Sequence, residues 1–247
     1  MTTLDITTTV RDVVAGDFRA AAVFERHGID YCCGGERTIA EASASADVAA
    51  EQVLSDLGDL QGVAAGRPPR FASWSPAFLV DYILANHHAY VRAALPAILA
   101  HAQKVADKHG ARHPEMVEVA STFERVVAEM TQHMMKEEHI LFPYVKSLAA
   151  QAEADRPAAP SPFGTVANPI RMMETEHESA GGAMRHIREL TADYAPPDDA
   201  CTTYRVTLAE LDEFERDLHQ HVHLENNILF PRALEMEGTA TSIGDRQ

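Results

Sequence analysis

The sequence predicts an all-α protein, an antiparallel four-helix bundle preceded by a small helical domain. Three observations carry that expectation. A stretch running from His133 to Pro143 recurs from His221 to Pro231, and both copies hold a His, a Glu four positions on, and Ile-Leu-Phe-Pro. A lone histidine precedes each copy by a similar distance, His88 before His133 and His177 before His221. Nowhere do apolar and polar residues alternate over a strand length among β-branched residues, and aromatics make up only 6% of a chain rich in Ala, Leu and Glu, which favours helix.

The repeat dictates the architecture. The offset 221 − 133 is 88 residues, and 177 − 88 is 89. Each unit supplies one His from a first helix and a His/Glu pair from a second. Two such hairpins make a four-helix bundle with six side chains converging in its core.

Composition bounds the rest. A chain of 247 residues with 46% apolar residues can bury a sizeable core in one large domain or a small and a medium one. A net charge of −16 disfavours nucleic acid and anionic membranes as partners. No apolar run reaches the ~18 residues of a bilayer span. The Thr-rich start, Met1 to Val10, has no apolar core of a signal peptide. Three cysteines, two of them adjacent, are not a disulfide framework. The expectation is a cytoplasmic protein with reduced thiols.

In chain order, residues 1–60 form the small helical domain. Asp17 can cap a helix over 18–27, with Gly28 as its stop. Residues 29–35 read as a loop by Gly34 and Gly35. Thr38 and Glu41 form a capping box, and Asp47 can cap a further helix with Val48, Val53, Leu54 and Leu57 inside. Residues 61–75 hold Gly62, Gly66, Pro68 and Pro69 and read as a linker with a reach of roughly 20–23 Å. Residues 76–237 are the bundle, and 238–247 a tail.

Ser75-Pro76 starts the first long helix, to about 109, bent or interrupted near Pro96 and stopped by Gly110. The second runs from Pro114 to about 149, kinked at Pro143. Residues 150–168 are a proline-rich connection. Asn168-Pro169 opens the third helix, ending near Tyr194. Residues 196–199 make the second hairpin turn, and the fourth helix covers about 200–236.

Helical phase, about 100° per residue, sorts the candidates. Glu137 stands about 40° from His133, whereas Glu138 and His139 stand about 140° and 240° away, facing elsewhere. Glu225 is again about 40° from His221, while His219 and His223 lie about 160° to either side, at the surface or on a neighbouring helix. Spacing alone does not separate His87 from His88; the offset slightly favours His88. Glu129 and Asp217 sit one turn before His133 and His221, again 88 residues apart. They are candidates to orient the imidazoles, since a bound His donates its other ring N–H to an acceptor. Glu174 and Glu176 flank His177 near the mouth of the site.

Four imidazoles and two carboxylates exceed one tetrahedral zinc. They suit two iron or manganese ions bridged by both carboxylates and an oxo or hydroxo group, each with an open position for O₂ or NO. This donor balance carries less negative charge than the carboxylate-rich di-iron oxidases. It favours reversible redox, diatomic binding or iron release over oxygenation.

The two His-x-x-x-Glu…Leu-Phe-Pro segments and the paired lone histidines resemble the hemerythrin-like bundle. Hemerythrins proper have a further His where this chain has Gly181, and an Asp in one pair. The chain more closely resembles the repair-of-iron-centres family. Tyr31-Cys32-Cys33-Gly34-Gly35 resembles that family's small amino-terminal domain, and residues 133–138, 173–177 and 224–227 resemble its bundle. The resemblance covers nearly all of the chain up to about 236. It implies two iron ions held by His88, His133, Glu137, His177, His221 and Glu225. It also implies a role in restoring iron–sulfur clusters damaged by nitrosative or oxidative stress, by supplying iron to damaged iron–sulfur proteins, without ordinary enzymatic turnover. A di-iron reductase of NO and an O₂ or NO sensor or store are the competing readings. The oligomeric state stays open, a homodimer included.

Cys32 and Cys33 are read as a thiol pair that meets the metal site, iron in transit or a nitrosyl group; small residues in a tight loop are the alternative. Gly34 and Gly35 are expected to leave these thiols little shielded. Cys201 is read as structural.

Overall fold

A computed structural model describes residues 4–60, 69–156 and 161–244. Its first part holds four short helices, α1 (Val10–Gly16), α2 (Ala20–Arg26), α3 (Ile39–Ser45) and α4 (Ala50–Asp59). Thr9 caps α1 by accepting from the Asp12 N–H. Gly28 ends the α2 turn at φ 66°, a left-handed conformation that suits glycine. The Thr38/Glu41 capping box is formed in full. Asp47 caps nothing: it takes φ 56° at the end of α3, and α4 starts behind Ala49 without a side-chain cap.

The bundle follows as α5 (Pro76–Ile83), α6 (Ala89–His109), α7 (Glu115–Lys136), α8 (Phe142–Glu153), α9 (Ala167–Leu190), α10 (Thr202–Leu224) and α11 (Phe230–Gly244). Around its centre α6 packs on α7 and α10, and α9 closes the square against the same two. At one end α8 packs on α5 and α11. The only β pairing among the described residues is a single bridge between Thr9 and Thr38. No helix among them is long and apolar enough to cross a membrane.

Three long helices are interrupted by one π-helical turn each, at Leu84–His88, Glu137–Leu141 and Glu225–Leu229. The latter two precede Phe-Pro. Pro143 and Pro231 lack the N–H that would bond four residues back, and their rings press on that carbonyl. A wider i→i+5 turn relieves the conflict. The kink expected at Pro143 therefore lies upstream of it. Pro96, by contrast, sits inside the continuous α6; the interruption lies at Leu84–His88, where the Asn86 side chain donates to the Tyr82 carbonyl.

The described half of the 61–75 segment, from Pro69 on, is packed. Residues 61–68 lie outside the described residues, and so does the connection at 157–160. Phe71 is buried among Trp74, Tyr82 and Phe18. Helix α11 continues through Gly244, beyond the expected end at 236.

The core has two apolar layers. One holds Val91, Val126, Met130, Met184, Leu211 and Phe214 together with the amino-terminal helices. The other holds Leu79, Ile83, Leu141, Met173, Leu229 and Phe230. Between these layers sit the buried polar residues His88, His133, Glu137, His177, His221 and Glu225, while Thr122, Thr207 and Glu215 are buried within the first layer.

Candidate metal centre

Six polar side chains meet at that boundary. His88 closes the first π turn, Glu137 and Glu225 open the other two, His133 and His221 stand one turn earlier, and His177 sits mid-way along α9. None is more than 1% exposed. Unpaired buried charge is costly, so this layer must be matched internally or by a cation.

The donor atoms fall into two groups. His88, His221, Glu137 and Glu225 form one, and His133, His177, Glu137 and Glu225 the other, with donor atoms within 4.8 Å of one another in each. Both carboxylates belong to both groups. Glu137 Oε2 lies 3.3 Å from His88 Nε2 and 3.2 Å from His133 Nε2. Glu225 lies 3.1 Å from His177 Nε2 and 3.0 Å from His221 Nε2. Each carboxylate thus faces one imidazole of each group.

The outward ring nitrogens set the tautomers. His88 Nδ1 donates to Glu138 Oε1 at 2.8 Å, His133 Nδ1 to Glu176 Oε2 at 3.0 Å, and His177 Nδ1 to Asn226 Oδ1 at 2.8 Å. A carboxylate or amide oxygen can only accept, so each Nδ1 carries a hydrogen, and each ring, once neutral as a metal ligand must be, turns its Nε2 lone pair inward. His133 and His177 then face each other, Nε2 to Nε2, at 3.0 Å. His88 Nε2, both oxygens of Glu137 and Glu225 Oε2 are buried with no hydrogen-bond partner. Inward lone pairs and orphaned carboxylate oxygens fit a metal site.

Charge agrees. Burial opposes a charge on His133, but Glu137 and Glu225 outweigh it and push it up to about 9. Burial and the Glu225 charge work to raise Glu137, yet His133 and His88 hold it down to about 2. Glu225 is likewise held low by His221 and His177 against its burial. The pocket keeps its carboxylates ionised and offers them to cations.

All six expected residues are brought together. Glu176 also reaches the site, on His133 and paired with Lys136. Glu129 and Asp217 do not act as expected. Glu129 is exposed and accepts from Ser179 at 3.1 Å. Asp217 pairs with His87 Nδ1 at 2.9 Å, not with His221. The reason is geometric: an imidazole aimed inward by Nε2 turns its Nδ1 across to the next helix, where a residue four back on its own helix cannot follow. Glu138 and Asn226 were missed because the π turn adds a residue and breaks the 100° phase. A signal was available, since Glu138 and Asn226 each follow a repeat Glu and are 226 − 138 = 88 residues apart.

The amino-terminal domain docks beside this layer. Asn227, in the same π turn as Glu225, donates to the carbonyls of Tyr31 (3.2 Å) and Cys32 (3.0 Å). Gly35 is required here: a Cβ would lie 2.6 Å from Asn227 Oδ1 and 2.9 Å from the Tyr31 carbonyl. His223 is buried against Tyr31 and Phe18, and His219 meets Glu25 at 3.3 Å. Burial lowers His223 to about 4. Against expectation the first thiol is shielded: Cys32 is buried and Cys33 half-buried. The Cys33 sulfur, burial and Asp30 push the Cys32 thiol well above the ordinary range, so it is not a free thiolate. Both cysteines line a cavity of about 580 Å³ whose opposite wall includes Gly181, one turn beyond His177. Cys201 is exposed, at 3.2 Å from His109 Nε2.

Residues 79–233 match the Hemerythrin HHE cation binding domain, and residues 6–61 match a domain of unknown function, DUF542. The chain is 37% identical to the iron-sulfur cluster repair protein YtfE of Dickeya chrysanthemi, over 89% of this chain and 93% of that protein. It is 35% identical to a probable iron-sulfur cluster repair protein of Haemophilus influenzae, over 87% and 91%. The chain belongs to the iron–sulfur cluster repair family. Within it, the HHE match spans every one of the six inward residues, and the second match covers the small domain.

Proposed function

We propose that the chain holds two iron ions in the buried layer and serves the repair of damaged iron–sulfur clusters by supplying iron. The observation that supports this most is the sharing of Glu137 and Glu225 between two four-residue donor groups, in a chain whose relatives are named for cluster repair. His88 and His221 would hold one ion, His133 and His177 the other, and the carboxylates both. Bound iron would supply redox chemistry and a transferable metal. The chain's own part is to aim and to exclude water. Glu138, Glu176 and Asn226 hold three imidazoles in one tautomer, the π turns present both carboxylates to the centre, and the apolar layers keep solvent out. Three free cysteines support a reducing compartment, the cytoplasm, as its place of work.

Two assays on one preparation test the reading: iron per chain, and reactivation of a nitrosylated iron–sulfur enzyme. The expected result is two irons per chain, with reactivation accompanied by loss of iron from the protein. Two irons with no reactivation, but steady consumption of NO under reductant, would favour a di-iron NO reductase instead.

A further inference from the structure

Outside the buried layer, one more cluster among the described residues has the donor chemistry of a metal site. We propose that Asp30, Cys32 and Cys33 form a separate site for a thiophilic divalent cation, Fe(II) or Zn(II) in character, opening on the cavity between the small domain and the bundle. One donor atom from each residue lies within 4.8 Å of the other two. The two sulfurs are 3.9 Å apart. Two thiolates on a tetrahedral ion at ~2.3 Å stand roughly 3.8 Å apart, and a thiolate and a carboxylate oxygen roughly 3.6 Å apart. The Cys32 sulfur lies 3.2 Å from Asp30 Oδ1, so small movements would complete the geometry. A disulfide, by contrast, requires sulfurs about 2.05 Å apart.

The loop is held in this shape before any cation arrives. Asp30 Oδ1 accepts the backbone N–H of Cys32 at 3.0 Å and of Cys33 at 2.9 Å. Asn227 fixes the carbonyls of Tyr31 and Cys32 from the bundle side. Such prior ordering reduces the cost of binding. Three protein donors leave a fourth position for an exchangeable ligand, as in open zinc sites. The cavity supplies the access, and its walls are net acidic, with Glu25, Glu178, Glu189 and Glu215 against Arg185 and Arg188. On binding, the two thiols release their protons to solvent. The site stands whether or not the bundle donates iron.

Sulfur separates this site from the buried layer, which contains none. The test uses full-length, iron-replete protein kept reduced under argon, in a Cys201→Ser background that removes the remaining thiol. Co(II) is titrated as the probe. We expect one Co(II) per chain beyond the bundle metals, with sulfur-to-cobalt charge-transfer absorption. Cys33→Ser should abolish that band, and Asp30→Asn, which keeps the turn acceptor but loses the charge, should weaken binding at least tenfold. A parent protein with no thiolate band at saturating Co(II) would overturn the proposal, as would variants that bind like the parent. Should either variant fail to fold, alkylation of Cys33 in the Cys201→Ser parent decides. Zn(II) should slow that reaction, and an unchanged rate would refute the site.

Discussion

The two donor groups are built from the same repeat, yet they are not held alike. In the His133/His177 group both imidazoles are anchored outward, on Glu176 and Asn226. In the His88/His221 group only His88 is, on Glu138, which Arg92 also holds. His221 Nδ1 is buried with no partner, and its ring is held by stacking on His87, centroids 5.6 Å apart. Anchoring of the distal nitrogen fixes the ring and raises its basicity as a ligand. The difference teaches that a duplicated motif can yield one firm and one looser position. For a protein proposed to give iron away, the looser position is the one to empty first.

The largest effect should come from the element the two groups share. Glu225→Ala or Glu137→Ala should take iron per chain from two to near none, because each carboxylate serves both positions. His221→Ala and His177→Ala should each leave about one iron. Metal analysis of purified variants checks this; a Glu225→Ala protein retaining one firmly bound iron would break the shared-carboxylate account. Next in size are the outer partners. Asn226→Ala should weaken the firm position by roughly 10–100-fold and bring the two positions closer together. Glu138→Ala should weaken the His88/His221 position by a similar factor and widen the gap. Competition with a graded chelator reads both, and equal losses from both positions in either variant would contradict the assignment.

Acidity probes the metal-free layer. His133 is raised to about 9 from 6.5, so its stabilisation is present below pH 6.5 and is lost as pH climbs through about 9. His223 is lowered to about 4, so the folded state loses stability as pH falls from 6.5 through about 4. Metal-free protein should therefore melt highest near pH 6.5. A melting temperature that rises steadily to pH 9 would show that His133 is not held protonated by Glu137. The smallest effect belongs to Glu129→Ala, which should leave metal content unchanged, since Glu129 is exposed and meets Ser179 rather than a ligand.

The sequence made five of the six inward residues legible because a duplication displays a pattern twice, while the choice of His88 over His87 came from the resemblance to the repair-of-iron-centres family. His133 with Glu137, and His221 with Glu225, are too common singly to mean much, but an offset of 88 residues is not. The four-helix architecture followed from the same repeat. What stayed hidden was whatever crosses between helices or depends on a local departure from the α-helix. Glu138 was turned away by a 100° phase that the π turn at Glu137–Leu141 does not obey. Glu129 and Asp217 were favoured because same-helix spacing is readable and cross-helix placement is not. The seat of the amino-terminal domain rests on Asn227 reaching Tyr31 and Cys32, 196 and 195 residues away, and on Phe71 packing where the local sequence reads as a linker. No local pattern encodes such contacts.

Timed removal of iron tests the central claim most directly. Iron-replete protein is challenged with excess chelator, and retained iron is followed for the parent, His221→Ala and His177→Ala. The account predicts two phases of equal amplitude in the parent, with His221→Ala lacking the fast phase and His177→Ala lacking the slow one. A single phase in the parent, or the same phase missing from both variants, would contradict two unequal positions sharing Glu137 and Glu225.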